Sequence, residues 1–182
     1  MQFERTRLPE VVSITPQAFP DERGHFLEVW HERKFRLAGI EARFVQDNQS
    51  HSVRHVLRGL HYQLRHAQGK LVHVVRGAIF DVAVDIRRSS PTFGQWVGAE
   101  LSEDNMRMLW IPPGFAHGYL ALSDRATVQY KCTEHYAPEH ERAIRFDDAT
   151  IGIQWPLPAG VSPLQSPKDA AAPGLGDAEC FA

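Results

Sequence analysis

Cysteine is scarce: Cys132 and Cys180 are the only two in 182 residues. Two thiols cannot build a disulfide framework, and this pair lacks metal-ligand spacing. They suit a reducing compartment, so a cytoplasmic location is expected. No apolar run approaches the ~20 residues that span a bilayer. The opening Met1-Gln2-Phe3-Glu4-Arg5 lacks the apolar stretch of a secretion signal, and no membrane partner is expected. Neither charge is in excess: 20 Lys and Arg stand against 22 Asp and Glu, for a net charge of −2. That balance argues against a nucleic-acid surface or a basic membrane-binding face. An anionic ligand would have to be held by a few placed cations. Internal repeats are absent too.

What the chain has in quantity is alternation. Phe80, Val82, Val84 and Ile86 face one way, and Asp81, Ala83 and Asp85 the other, the period of a strand with two different faces. Thr127 to Thr133 repeats the pattern, with Val128, Tyr130 and Cys132 opposite Gln129 and Lys131. Leu71 to Val75 and Phe26 to Trp30 are further strand candidates. Turn signals punctuate them at Pro20-Asp21-Glu22-Arg23-Gly24, Arg76-Gly77, Ser90-Pro91-Thr92-Phe93-Gly94 and Pro112-Pro113-Gly114. Helical signals are few. Glu32 to Ala38, stopped by Gly39, is one; Glu103 to Met108, capped by Ser102, is another.

Many short strands with such punctuation predict an all-β sandwich or jelly roll with a few short helices. A single domain over residues 1–182 is expected, large enough to bury its own core. The Pro-, Ala- and Gly-rich stretch from about Pro156 lacks periodicity and is expected to wrap the surface. Within it, Ser166-Pro167-Lys168-Asp169 reads as a loop.

Three polar clusters lie on or beside predicted strands. The first is Leu57-Arg58-Gly59-Leu60-His61-Tyr62-Gln63, followed by Gly69-Lys70. The second is Gly114-Phe115-Ala116-His117-Gly118-Tyr119, and the third is Tyr130-Lys131 with Tyr136 beyond it. Each also has a plain reading: His61 as a half-buried strand residue, His117 as a turn cap, Tyr130 as core, Arg58 and Lys70 as rim charges, Asp169 as the start of a turn. Arg58 and His61 are three apart and would face opposite sides of a regular strand. If both reach one pocket, Gly59 must mark a bulge.

A metal site fits these residues poorly. Metal-binding cupins carry two histidines one residue apart, a carboxylate soon after, and another histidine on a distant strand. Here Gln63 occupies the second histidine position, and Lys70 follows with no Asp or Glu before it. A cation there would repel a metal, although His117 remains, with His66 or His73 as further donors. No metal is expected.

Taken together the segments resemble one family. In order they are Asp21-Glu22-Arg23-Gly24, Val45-Gln46-Asp47-Asn48-Gln49-Ser50, Val56 to Gln63, Gln68-Gly69-Lys70-Leu71-Val72 and Phe80 to Arg87. Ser90-Pro91-Thr92-Phe93-Gly94, Ile111 to Gly118, Tyr130-Lys131, Trp155-Pro156 and Lys168-Asp169 follow. The chain is similar in these motifs to the dTDP-4-dehydrorhamnose 3,5-epimerases, from about Phe3 to Leu175. The resemblance implies a double-stranded β-helix (a cupin-type jelly roll), a homodimer and no cofactor. The implied substrate is dTDP-4-dehydro-6-deoxy-D-glucose, inverted at carbons 3 and 5 on the way to dTDP-L-rhamnose.

It also implies roles that suit the residue types. His61 would be the base, since an imidazole titrates near neutral pH, and Asp169 would orient it. Lys70 would oppose charge on the 4-oxygen, Tyr130 would return a proton from the opposite face, and His117 would hold the sugar. Arg23 and Arg58 would bind the diphosphate, as guanidinium groups suit bidentate contact. Glu28, Gln46, Asp47 and Asn48 match nucleotide contacts, with Glu28 reaching across a dimer. Tyr136 matches an aromatic stacked on thymine, and Glu141 and Lys168 match further ligand contacts. The same dyad would serve a single-carbon epimerase or a ketoisomerase of a deoxysugar pathway. A metal-dependent cupin oxygenase and a non-catalytic sugar-nucleotide binding module are the more distant alternatives.

Overall fold

The computed structural model describes residues 1–182. In chain order the strands are β1 (Gln2–Arg5), β2 (Val12–Thr15), β3 (Ala18–Asp21) and β4 (Gly24–Leu27), followed by helix α1 (Glu32–Leu37). Then come β5 (Gln46–Val53), β6 (Leu57–Gln63), β7 (Lys70–Arg76), β8 (Ala78–Asp85) and β9 (Trp96–Ser102). β10 (Met108–Ile111), β11 (Phe115–Ala121) and β12 (Arg125–Cys132) complete the main strands. A 3-10 turn (Pro138–His140), β13 (Glu141–Ala143) and the one-turn helix α2 (Pro167–Ala170) close the chain.

Two antiparallel sheets carry the fold. One runs β1-β2-β10-β7-β12-β5, the other β13-β6-β11-β8-β9, and β3-β4 stands apart as a hairpin. This is the expected jelly roll. The alternation at Phe80–Ile86 is real, but both faces of β8 are buried. Ile79 and Ala83 join the core between the sheets, with Leu109, Phe115 and Val128. Val82, Val84 and Ile86 pack outward against Ile144, Leu175 and Ala178. Leu175 and Ala178 of the C-terminal segment lie on this outer face and give the five-stranded sheet a second apolar layer. Each Val, Leu, Ile or Phe side chain buried in this way contributes about 1.5–3 kcal/mol.

The helix expected at Glu32 to Ala38 forms over Glu32–Leu37, and Gly39 leaves it at φ +81°. The one expected at Glu103 to Met108 does not form. The Oγ of Ser102 accepts from the Asn105 N–H at 3.0 Å, and Asn105 Oδ1 accepts from the N–H groups of Ser102 and Arg107. This reciprocal pair closes a turn between β9 and β10 instead of starting a helix. The strand expected at Phe26 to Trp30 is shorter, ending at Leu27.

Gly59 does mark a bulge. His117 pairs with His61 and Tyr119 with Arg58, so two steps along β11 match three along β6. The extra residue brings Arg58 and His61 to the same inner face. Only glycine fits there: φ is +108°, and a Cβ would lie 2.5 Å from the His117 carbonyl oxygen.

Candidate active site

The C-terminal segment delivers one half of a dyad. Leu164 bridges Val56 in parallel, with the Leu57 N–H donating to the Leu164 carbonyl at 2.9 Å. This brings the chain across the start of β6. Ser166 then caps α2 by accepting from the Asp169 N–H at 3.1 Å. The stretch that composition suggested was a loop is thus a capped helical turn, and it points the Asp169 carboxylate at His61.

His61 Nε2 and Asp169 Oδ1 lie 2.6 Å apart. The carboxylate is buried, while the imidazole is 29% exposed, enough to meet a ligand. Burial alone would push the Asp169 carboxyl up. The hydrogen bonds from His61 and Ser166 and the attraction of His61 outweigh it, holding the group below the usual carboxylate range. An ionised carboxylate on one ring nitrogen fixes the tautomer and supports the protonated ring.

His61 opens onto a cavity of about 270 Å³ whose walls also carry Lys70, Tyr130, Gln46, Asn48, Tyr136 and Glu141. Burial pushes the Lys70 ammonium below the usual lysine range, offset in part by Cys132, Asp81 and Glu141. A partly desolvated cation at the cavity wall is suited to meeting negative charge that develops on a substrate. Tyr130 packs its ring on the core between the sheets, and burial pushes its phenol up to about 12. The phenol therefore holds its proton firmly at neutral pH. A larger cavity of about 710 Å³ lies between the β3–β4 hairpin and β7. Its titratable groups, His25, His73, Glu103 and Asp104, form no His–carboxylate pair, so the smaller cavity is the better candidate.

His117 does not reach the wall of this cavity. It is buried, and its Nε2 donates to Asp81 Oδ1 at 2.8 Å. Burial pushes this imidazole below the ordinary histidine range, against the pull of Asp81 and with Lys70 and His61 adding to the depression. Asp81 is a residue that sequence reasoning did not single out. Its signal was there: a carboxylate in mid-strand on the inner face of β8, beside Ala83 and flanked by apolar residues on both sides.

The other expected contacts divide. Tyr136 donates its hydroxyl to Glu141 at 2.9 Å, and Lys168 pairs with the same carboxylate. This joins three expected ligand contacts in one cluster beside Asp169. Glu141 is held below the usual range: burial raises it, but the bonds from Lys168 and Tyr136 outweigh that. Gln46 and Asn48 face inward on β5, while Asp47 between them faces out and pairs with Lys131 at 2.9 Å. Arg58 lies to the side of the cavity, donating to Ser52 Oγ at 3.2 Å and to the His51 carbonyl at 3.0 Å. Arg23 and Glu28 lie on or just after the β3–β4 hairpin and are not among the cavity walls. Arg23 pairs with Asp21, and Glu28 with Lys34. Nowhere do three or more His, Cys, Asp or Glu side chains gather so as to hold a metal.

A family model described as dTDP-4-dehydrorhamnose 3,5-epimerase matches residues 5–177. The dTDP-4-dehydrorhamnose 3,5-epimerase of Pseudomonas aeruginosa is 52% identical over 182 residues, 100% of this chain and 99% of that one. Among solved structures, the chain is similar to the dTDP-6-deoxy-D-glucose-3,5-epimerase of Legionella pneumophila Philadelphia 1, in complex with dTDP-4-keto-L-rhamnose. The TM-score is 0.93 at 51% identity, over 97% of this chain and 93% of that one. A 3′-monoepimerase from Streptomyces bikiniensis, in complex with dTDP-quinovose, gives 0.86 at 35% identity, over 92% of this chain and 85% of that one.

Proposed function

The chain belongs to the dTDP-4-dehydrorhamnose 3,5-epimerase family, and on that premise we propose that it converts dTDP-4-dehydro-6-deoxy-D-glucose to dTDP-4-dehydro-L-rhamnose, a step of dTDP-L-rhamnose synthesis. The observation that carries this reading is the 2.6 Å His61–Asp169 bond at a cavity shared with Lys70 and Tyr130. The protons on carbons 3 and 5 flank the 4-keto group, so removing either one places charge on the 4-oxygen. His61, with Nε2 committed to Asp169, takes the proton on Nδ1. The electron pair moves into the enolate, whose oxygen meets the Lys70 ammonium. Tyr130 returns a proton to the opposite face of the carbon, inverting it, and solvent resets both groups. The sequence repeats at the second carbon. This chemistry calls for no cofactor.

Tyr136 would stack on thymine beside Glu141 and Lys168, with Gln46, Asn48 and Arg58 completing the nucleotide contacts, Asp47 offering only its backbone between the first two, and His117 supporting the floor of the cavity from beneath. Arg23 and Glu28 would act on a partner's pocket in a homodimer. In support, the hairpin leaves Phe19 51% and Phe26 68% exposed beside Arg23. Two unpaired cysteines are consistent with a cytoplasmic site of action. No helix is long and apolar enough to cross a membrane.

The test is NMR of the product formed from dTDP-4-dehydro-6-deoxy-D-glucose. Inversion at both carbons is expected. Inversion at one carbon would assign the chain to the single-carbon epimerases, whose fold it shares, and an unchanged sugar would refute the reading.

A further inference from the structure

The segment Glu134–Ala137, which carries Tyr136, is held by side-chain amides from three separate places. Gln68 Nε2 donates to the Glu134 carbonyl at 2.9 Å. Gln63 Nε2 donates to the His135 carbonyl at 3.2 Å, and its Oε1 accepts from the Ala137 N–H at 3.0 Å. Gln46 Oε1 accepts from the N–H of Tyr136 itself at 2.9 Å. Four consecutive residues of an irregular segment thus have a backbone group tied to a glutamine. Gln63 is the hub, since its Nε2 also donates to the His66 carbonyl at 2.8 Å, joining a second loop to the first. Gln63 is buried, only 3% exposed. Its amide can sit only one way round, with nitrogen between two carbonyls and oxygen against an N–H.

We propose that Gln63 and Gln68 are positioning residues for nucleobase recognition: they fix the Glu134–Ala137 backbone so that the Tyr136 ring stands where a pyrimidine base can stack on it. The proposal rests on the functional reading above and extends it to two residues that reading leaves idle. Tyr136 is 53% exposed and its ring has little packing to hold it. An aromatic platform contributes more to affinity when it is ordered before the base arrives, because ordering a backbone costs about 1–2 kcal/mol per residue. The amide of Gln63 explains why this position suits a glutamine. A leucine lacks both donor and acceptor, and a glutamate would set a negative oxygen against two carbonyls.

The experiment measures dTDP affinity by calorimetry, and KM and kcat for the dTDP-4-keto sugar, in Gln63→Leu, Gln68→Ala, Tyr136→Ala and the two double variants. Base stacking on an aromatic is worth roughly ten-fold or more in affinity. Gln63→Leu should therefore weaken dTDP binding and raise KM by about that factor, with a much smaller change in kcat. Combined with Tyr136→Ala, it should add almost nothing, because both act through one ring. Gln68→Ala should show the same non-additivity with a smaller loss, and it carries the test if Gln63→Leu does not fold. Wild-type dTDP affinity in the folded variants, a loss falling on kcat, or losses that multiply with Tyr136→Ala would overturn the proposal. Wild-type protein that neither binds dTDP nor turns over the sugar would instead overturn the functional reading beneath it.

Discussion

His61 and His117 face each other across the β6–β11 ladder, and each imidazole holds a different carboxylate. Burial separates their work. His61 reaches the cavity with Asp169 behind it, whereas His117 is enclosed with Asp81 and stays neutral at neutral pH. On the proposed reading, the first ring moves a proton and the second holds shape and hydrogen bonding beneath it.

Asp169→Asn keeps the size of the side chain but removes the charge that supports a protonated His61. General-base catalysis contributes about a hundred-fold or more, so kcat should fall by about that factor with little change in KM. Steady-state kinetics check this, and an unchanged kcat would contradict the dyad.

Tyr130→Phe removes the hydroxyl and leaves the ring that packs on the core. The folded protein should bind dTDP as before and lose most of its turnover, since the carbanion can be formed but not reprotonated from the far face. Undiminished turnover would count against Tyr130 as the acid.

The alkaline limb of activity should belong to Lys70. Burial lowers its pKa from the ordinary 10.5, so the ammonium is lost at a lower pH than for an exposed lysine. Tyr130, held at about 12, stays protonated over that range. Lys70→Arg keeps a charge at every accessible pH. Its residual activity should therefore lack the limb; a pH–rate profile with the limb intact would reassign it.

Acid stability should depend on Asp85. This buried carboxylate accepts from Arg87, Ser90 and Thr92. Burial raises its pKa, but these bonds outweigh it and hold the group at about 2, against 3.8 for an ordinary aspartate. The folded-state value is the lower one, so the stabilisation is complete above 3.8 and is lost as pH falls towards 2. Denaturant melts of Asp85→Asn should show a stability loss at neutral pH that shrinks across this window. A loss of constant size would contradict the assignment.

Much of this architecture was legible in the residues. Alternation at Phe80–Ile86 and Thr127–Thr133 gave true strands, and the three-residue offset of Arg58 and His61 required the bulge that Gly59 makes. Other features depend on contacts that no local pattern records. Asp169 sits 108 residues from His61, and only the resemblance paired them. Glu103 to Met108 has the signs of a capped helix, but the Ser102–Asn105 exchange turns the chain sooner. Arg23, Glu28 and Asp47 matched family positions, yet within one chain none lines the cavity, because alternation turns Asp47 outward and the hairpin carries Arg23 away.

Deuterium uptake tests the central claim most directly. In heavy water, wild-type protein should place solvent deuterium on carbons 3 and 5 of the dTDP-4-keto sugar. His61→Ala should bind dTDP and incorporate deuterium at neither carbon. Full exchange in that variant would show that another group removes the proton, and the imidazole at the cavity wall would lose its role.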